Sequence, residues 1–231
     1  MQDISAGLRE AVRLLLSLDE ETYQIIFLSL QVSGTAVLLA SLMGIPLGAL
    51  INLKNFWGKK LALNIMNTFM GLPPVVIGLV VYLFLSSSGP LGELELLFTP
   101  GAMIIAQTML VTPIVAGLTV AALSGVNKMI GLTAASLGAN SWQIAWAIIK
   151  EARYGVMAAV VSGFGRAIAE VGAVIMVGGD IQGNTRVMTT AIALQTRMGN
   201  FSTALALGII LLFLSFLINL SLNYLAERRG R

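Results

Sequence analysis

Long stretches without charged residues alternate with short clusters of lysine, arginine, aspartate and glutamate along this chain. A helix needs roughly 20 mostly apolar residues to cross the ~30 Å hydrocarbon core of a bilayer. Four stretches reach this length with no charged residue, and a fifth is interrupted only by Arg166 and Glu170. The pattern predicts five membrane-spanning helices, near residues 24–52, 62–86, 100–125, 155–178 and 202–226.

The segment 129–149 is also free of charge, but it is much richer in polar residues and glycine than the other stretches. Lysine and arginine collect in cytoplasmic loops. Five spans with an outer N-terminus place nine cations in the cytoplasm and four outside, whereas a sixth span gives six against seven. The bias predicts five spans, a cytoplasmic C-terminus and a cytoplasmic loop at 127–153. The nine are Lys54, Lys59, Lys60, Lys128, Lys150, Arg153, Arg228, Arg229 and Arg231, and the four are Arg9, Arg13, Arg186 and Arg197.

Composition agrees with a membrane protein. Hydrophobic residues make up 57% of the 231 residues and charged residues 11%, against roughly 25% charged in soluble domains. Cysteine and histidine are absent, which excludes disulfides, metal sites built on those residues, and Ser-His or Cys-His catalysis. The net charge of +3 does not indicate nucleic-acid binding. No P-loop GxxxxGK[ST] occurs, so we expect no cofactor here and ATP hydrolysis, if any, on another chain.

The chain is interpreted as one transmembrane domain over 1–231, with an interfacial helix within 1–22. Residues 7–22 are amphipathic, and such a helix is typical of the membrane surface; packing across other spans is the alternative. Because Asp3, Arg9 and Glu10 come before any long apolar run, we do not expect this segment to be a cleavable signal peptide. The predicted apolar face contains Leu8, Ala11, Val12, Leu15 and Leu16.

The loop 127–153 predicts a helix, a sharp turn and a second helix. Asn127 can cap the first helix, Gly138 suits a left-handed residue after its end, and Asn140 or Ser141 can cap the second. The second helix has an apolar face at Ile144, Ala145, Ile148 and Ile149. A cytoplasmic segment this apolar indicates a partner surface; an ordinary interfacial hairpin is the alternative.

Several residues inside the spans are candidates for a transport pathway or gate. Pro73 and Pro74 interrupt a helix, and broken helices in membranes tend to line cavities; Thr112-Pro113 is a weaker case. Arg166 and Glu170 lie on one helical face, where they serve a pathway or form a structural ion pair. Because arginine before glutamate is the less favourable order for local pairing, we expect partners on other helices.

Three segments resemble a known family. Ala134, Leu137-Gly138-Ala139 and Ile148 resemble the cytoplasmic loop of ABC importer permeases, although Leu132 replaces the usual Glu and Lys150-Glu151 the usual Leu-Pro. Segments 70–78 (MGLPPVVIG) and 163–173 (GFGRAIAEVGA) resemble molybdate and tungstate permeases, most closely the five-span tungstate ones. Sulfate and thiosulfate permeases share a related Glu-x-Gly-Ala segment and are the nearest competitors.

The resemblance implies an all-α, type I ABC importer permease fold that works as a homodimer by alternating access. It further implies ATPase subunits that bind ATP and Mg²⁺ beneath the cytoplasmic loop, an external oxyanion-binding protein, and tungstate or molybdate as cargo. The residues it assigns to ATPase coupling are Thr133, Ala134, Ala135, Leu137, Gly138, Ala139 and Trp142.

Other interpretations remain open at this stage. An ion-coupled secondary transporter requires an intramembrane carboxylate, and only Glu170 qualifies. A membrane enzyme without histidine or cysteine has few catalytic side chains available, and a membrane scaffold does not require the prolines that interrupt the helix. Arg186 and Arg197 lie in the predicted outer loop and are interpreted as ordinary interfacial cations. The alternatives are that they attract an anion or contact a binding protein. Gly44 and Gly48 have the spacing of closely packed helices.

Overall fold

The computed structural model describes residues 2–17 and 19–228, and within them the chain forms helices and no strand. Of the predicted residues, Arg229 and Arg231 lie outside the described part, as do the side chains of Leu15 and Arg228. A 3-10 turn occupies Gly92–Leu94. The helices are α1 (Gln2–Leu16), α2 (Glu20–Leu53), α3 (Lys59–Met70), α4 (Pro74–Leu85), α5 (Pro100–Ser124), α6 (Lys128–Ser136), α7 (Ser141–Glu151), α8 (Arg153–Ile168), α9 (Gly172–Gly178), α10 (Met188–Arg197) and α11 (Phe201–Arg228).

Three helices, α2, α5 and α11, are long and apolar enough to cross a membrane alone. Two helix pairs reach that length only together: α3 with α4, bent by 95°, and α8 with α9, bent by 58°. If each pair counts as one span, the described chain has the five predicted spans. The interruption expected at Pro73-Pro74 divides the span at 62–86, whereas the expectation of one continuous helix over 155–178 is corrected, since α8 and α9 form a bent pair.

Helix α5 is the centre of the bundle, and its most extensive contact is with α2. Met103, Leu110 and Val111 of α5 are fully buried. Gly44 and Gly48 let the α2 backbone approach α5: a Cβ built on Gly48 lies 2.5 Å from the Ala116 carbonyl oxygen. The close packing predicted from the glycine spacing is confirmed.

Helix α1 ends at Leu16, so the predicted amphipathic segment 7–22 is shorter at its C-terminal end, where residues 20–22 already begin α2; the apolar face of α1 is divided. Ala11 is buried in a cluster with Leu207 and Ile210 of α11, while Leu8 and Val12 are exposed. Packing against another span, the alternative interpretation, therefore accounts for one side of α1. The other side is free to contact lipid.

The segment before α11 is not a simple outer loop. It contains α10, whose first residues Met188, Thr189, Thr190 and Ala191 are buried in the bundle. The Met188 N–H donates to Ser29 Oγ of α2 (2.8 Å), so the chain re-enters the bundle here. Ten residues of helix measure only about 15 Å, too short for a span, and hydropathy therefore does not reveal this element.

Candidate functional site

The two bent pairs bring their breaks together. The break between α3 and α4 occurs at the predicted Pro73-Pro74, with Pro73 exposed and Pro74 half-buried. The break between α8 and α9 occurs at 169–171. The segments that follow pack closely, since a Cβ built on Gly78 of α4 lies 2.8 Å from Ala173 Cα of α9. Two interrupted helices are thus joined side by side.

Arg166 and Glu170 meet at the second break. Arg166 Nη1 lies 3.0 Å from Glu170 Oε2, with the arginine side chain 37% exposed and the glutamate 3%. The other carboxylate oxygen accepts the Ala173 N–H (3.1 Å) and so caps the start of α9. Glu170 is therefore a buried anchor, and Arg166 reaches outward from it.

The expectation that these charges pair with other helices is wrong. The orientation rule for helical pairs assumes that both residues lie in one helix. Here α8 ends at Ile168, so Glu170 lies beyond the helix end and can turn its carboxylate back towards Arg166.

Polar groups are exposed on two helices that belong to bent pairs. On α8, Ser162 lies one turn before Arg166 on the same side and is exposed, and Ala169, just beyond the end of α8, is exposed as well. On α3, three polar residues at helical spacing are exposed: Asn64, Asn67 and Thr68. By contrast, α11 exposes Leu212, Phe213, Phe216 and Leu220. The surface of α11 suits lipid, whereas an exposed arginine inside a span requires water or protein.

Sequence reasoning missed this polar surface outside Arg166. The signal was available in α3, where Asn64, Asn67 and Thr68 recur at i, i+3 and i+4 within a predicted span. Such spacing puts polar groups on one helical face. Ser162 has the same relation to Arg166, four residues earlier.

Thr112-Pro113 does not interrupt its helix. Helix α5 continues from Pro100 to Ser124 through Pro113, and both Thr112 and Pro113 are half-buried. The Thr112 hydroxyl donates to the Thr108 carbonyl (2.7 Å) within the same helix. A break analogous to that at Pro73-Pro74 is therefore absent from this part of the described chain.

The loop at 127–153 forms the predicted helical hairpin. Asn127 Oδ1 accepts the Met129 N–H (2.9 Å) at the start of α6, and Gly138 has a φ of +83° in the turn. Asn140 and Gln143 exchange side-chain to backbone bonds of 2.8 and 2.9 Å at the start of α7. Of the two caps considered for the second helix, Asn140 is the one used.

One face of this hairpin is attached to the bundle and the other is free. Ile148 and Ile149 of α7 pack against a cluster with Leu53 of α2 and Val156 of α8. The apolar surface left exposed comes instead from Leu132, Leu137, Trp142 and Trp146. Trp146, one turn after Trp142, was missed by the sequence reasoning. Among the predicted coupling residues, those exposed are Thr133, Ala135, Leu137, Gly138 and Trp142, and those half-buried are Ala134 and Ala139.

Arg186 and Arg197, the two arginines of the predicted outer loop, differ in their surroundings. Arg186 is 15% exposed and contacts Glu21 and Asp180, each at 3.3 Å. It joins the segment before α10 to the start of α2, and its charge is compensated by these carboxylates. Arg197 is exposed at the end of α10. The geometry of Arg186 favours a structural role over capture of an anion.

Comparison with known proteins identifies the family. Residues 40–231 match the family described as binding-protein-dependent transport system inner membrane component. The chain is 45% identical to the tungstate uptake system permease protein of Peptoclostridium acidaminophilum, covering 98% of this chain and 100% of that one. It is 36% identical to the Campylobacter jejuni tungstate permease, covering 92% and 89%. The sulfate and molybdenum permeases of Escherichia coli are more distant, at 30% identity each.

Among solved structures, a chain of the methionine ABC transporter MetNI in inward-facing conformations superimposes with a TM-score of 0.78. The match covers 93% of this chain and 99% of that one at 16% identity, so it speaks for the fold alone. The all-α, type I ABC importer permease fold expected from the sequence is confirmed. The chain belongs to the family of binding-protein-dependent transport system inner membrane components.

Proposed function

We propose that this chain is the permease subunit of an ATP-driven importer that carries an oxyanion, tungstate or molybdate, and that it works as a homodimer by alternating access. The observation that carries the proposal is the exposed polar surface around Arg166. An arginine that is 37% exposed inside a span is costly against hydrocarbon. A second copy of the chain facing this surface encloses it and leaves a cationic, hydrated route for an anion.

The pathway is proposed to run past the two breaks. The planar guanidinium of Arg166 suits tetrahedral oxyanions; Glu170 binds its Nη1 atom at 3.0 Å, and the remaining N–H donors are left for the anion. Pro73 and Pro74 allow α3 to cross beneath α4 and present its asparagines. Thr112 and Pro113 belong to the central helix between α2 and α8, so we assign them to packing within the moving unit and not to direct contact with the anion.

Energy is proposed to enter through the α6–α7 hairpin. Its free surface contains two exposed tryptophans and two exposed leucines, and patches of this kind mark protein interfaces. Thr133, Ala134, Ala135, Gly138 and Ala139 shape the turn beside them. An ATPase subunit that holds ATP and Mg²⁺ binds this surface, and the chain itself acts as transport subunit with no cofactor of its own.

The remaining partners and the orientation follow from the same scheme. An extracytoplasmic oxyanion-binding protein docks on the outer loops, and the lipid bilayer surrounds α11 and the exposed side of α1. The N-terminus is outside and the C-terminus is cytoplasmic, as the distribution of lysine and arginine indicates.

Tungstate is preferred to sulfate as cargo. The tungstate permeases from two bacteria are 45% and 36% identical to this chain, against 30% for the sulfate permease. A secondary transporter is disfavoured because its ion site has to be Glu170, and both oxygens of that carboxylate are occupied by Arg166 and the Ala173 N–H.

A matched pair of tryptophan variants tests whether the ATPase subunit binds the α6–α7 hairpin. Trp142 is 77% exposed on α7, and Trp57 is fully exposed on the loop between α2 and α3, also on the predicted cytoplasmic side. Because a buried interface tryptophan commonly contributes 2 kcal/mol or more, Trp142→Ala is expected to weaken ATPase binding by at least about tenfold. Trp57→Ala is the control, and both affinities are measured with purified subunits. Equal affinities for the two variants refute the coupling assignment.

A further inference from the structure

The break between α8 and α9 leaves main-chain carbonyl groups without helical partners. The last four carbonyls of any helix lack intrahelical donors, and each unsatisfied polar group in hydrocarbon is costly. Residues 169–171 lie between two apolar helices of one bent pair. Donors from other helices reach this segment and the last turn of α8, and they hold the break in place.

Two buried side chains from distant parts of the chain supply these donors. Gln107 of α5 donates from Nε2 to the Ala167 carbonyl oxygen at 3.0 Å. Thr189 of α10 donates from Oγ1 to the Glu170 carbonyl oxygen at 2.8 Å. Gln107 is 3% exposed and Thr189 8%. The main chain carrying the Arg166–Glu170 pair is thus held from both sides.

Thr189 is itself fixed in place. Its neighbour Met188 donates its N–H to Ser29 Oγ at 2.8 Å, and the Ser29 hydroxyl donates to the Ile25 carbonyl at 2.7 Å. The start of α10 is therefore secured to α2 before it reaches the break. The buried start of α10 thus brings one hydroxyl group to the Glu170 main chain.

We propose that Gln107 and Thr189 are positioning residues that set the angle of the α8–α9 break and thereby the place of Arg166 in the pathway. The inference rests on the proposed role of Arg166 in anion transport. Neither residue touches the anion. Each holds one end of the segment from Ala167 to Glu170, so loss of either bond lets the break move while Arg166 and Glu170 remain present.

The amide of Gln107 offers a way to separate positioning from stability. Among the described residues, its Oε1 has no hydrogen-bond partner although it is buried. Replacing Gln107 by methionine removes one hydrogen bond and also removes this unsatisfied acceptor, two effects of opposite sign on stability. Ala167 O still accepts the Glu170 N–H (3.1 Å). If Gln107 has a purely structural role, we therefore expect the stability of Gln107→Met to differ little from that of the parent.

The experiment uses a thiol reporter in the complete transporter, reconstituted with its ATPase and binding protein. The chain has no cysteine, and Ala169 is exposed at the break, so Ala169→Cys provides a single reactive site. Gln107→Met and Thr189→Val are each expected to change its rate of modification by a water-soluble maleimide about two- to tenfold, the range for one hydrogen bond. The maximal rate of tungstate uptake falls, while half-saturation by the binding protein is unchanged.

Two control variants accompany them. Thr189→Ser keeps the hydroxyl and is expected to retain the parent rates. Thr196→Val removes a hydroxyl that bonds within α10, to the Ile192 carbonyl (2.8 Å), and leaves the break untouched. Unchanged thiol reactivity in both Gln107→Met and Thr189→Val overturns the inference, and so does an equal change in Thr196→Val.

Failure of the proposed function is distinguishable from failure of this inference. If Arg166→Gln transports tungstate at the parent rate, the pathway role of Arg166 is wrong. The positioning of the break then still stands or falls on the thiol measurement alone, because that rate reports the geometry at Ala169 and not the cargo.

Discussion

Substitution of two glycines of α2 by alanine measures how closely α2 and α5 must approach. A Cβ built on Gly48 lies 2.5 Å from the Ala116 carbonyl oxygen and 2.9 Å from Thr119 Cβ. Ordinary contact begins at 3.4 Å, so the first contact is short by 3.4 − 2.5 = 0.9 Å. Because the Ala116 oxygen belongs to the main chain, a rotamer change cannot relieve this clash, and α2 and α5 have to separate. Gly34, in the same helix, has nothing within 4 Å of its Cβ position.

The magnitude follows from the difference between the two sites. Alanine gains up to about 1 kcal/mol over glycine in a helix, and this gain applies equally to Gly34→Ala and Gly48→Ala. Overpacking against a rigid neighbour costs typically 1–3 kcal/mol. Gly34→Ala is therefore expected to be neutral or stabilising, and Gly48→Ala to be less stable than Gly34→Ala by about 1–3 kcal/mol.

The assay is unfolding of the purified permease by SDS in mixed micelles, followed by circular dichroism and tryptophan fluorescence. The difference between the two variants cancels the helix-propensity term, so it reports the α2–α5 contact alone. Equal unfolding free energies for Gly34→Ala and Gly48→Ala would show that α2 and α5 are not packed backbone to backbone, and the central contact of the bundle would need to be redrawn.

Two further predictions concern single carboxylates. The Asp19 carboxylate caps α2. It accepts hydrogen bonds from the Thr22 hydroxyl, which has the larger effect, and from the Thr22 N–H, and both hold the pKa of Asp19 below its usual 3.8. Asp19→Ala should lower the unfolding free energy by about 1 kcal/mol at pH 7. Because the pKa of Asp19 is lower in the folded than in the unfolded protein, the difference between parent and variant should disappear as the pH falls below about 4. A difference in thermal unfolding that stays constant across pH would contradict the capping role. Glu170→Gln keeps an oxygen for the Ala173 N–H but leaves Arg166 without a counter-charge. Because Arg166 is 37% exposed, stability should fall by only about 1 kcal/mol, and Glu170→Asp should cost less. Equal stabilities of parent and Glu170→Gln in SDS titrations would refute a stabilising pair.

The elements that sequence predicted are those whose signals are local. The five apolar stretches, the break at Pro73-Pro74 and the turn at Gly138 each depend on residues that are neighbours in the chain. The same holds for Asn127 and Asn140, whose side chains bond backbone groups two and three residues away. Caps and prolines act within a few residues, so a single sequence is enough to find them.

The candidate site was only partly predictable because its decisive contacts are distant in sequence. The break at 169–171 contains no proline, and what sustains it comes from Gln107, 60 residues away, and Thr189. Nothing near Glu170 in the sequence indicates either partner. The local pairing of Arg166 with Glu170 was missed for a related reason: the rule that argued against it presumes an unbroken helix.

The position of α10 in the chain has a consequence for how the protein assembles. Its buried face contacts α11, and α11 is made after it. The start of α10 also needs Ser29 and the Glu170 main chain, which belong to helices made earlier. The packing of α10 therefore requires partners made both before and after it, and it is complete only when α11 is present. A chain that stopped before Phe201 would keep both partners of the Thr189–Glu170 bond but lose the α11 side chains that pack around Met188 and Ala191.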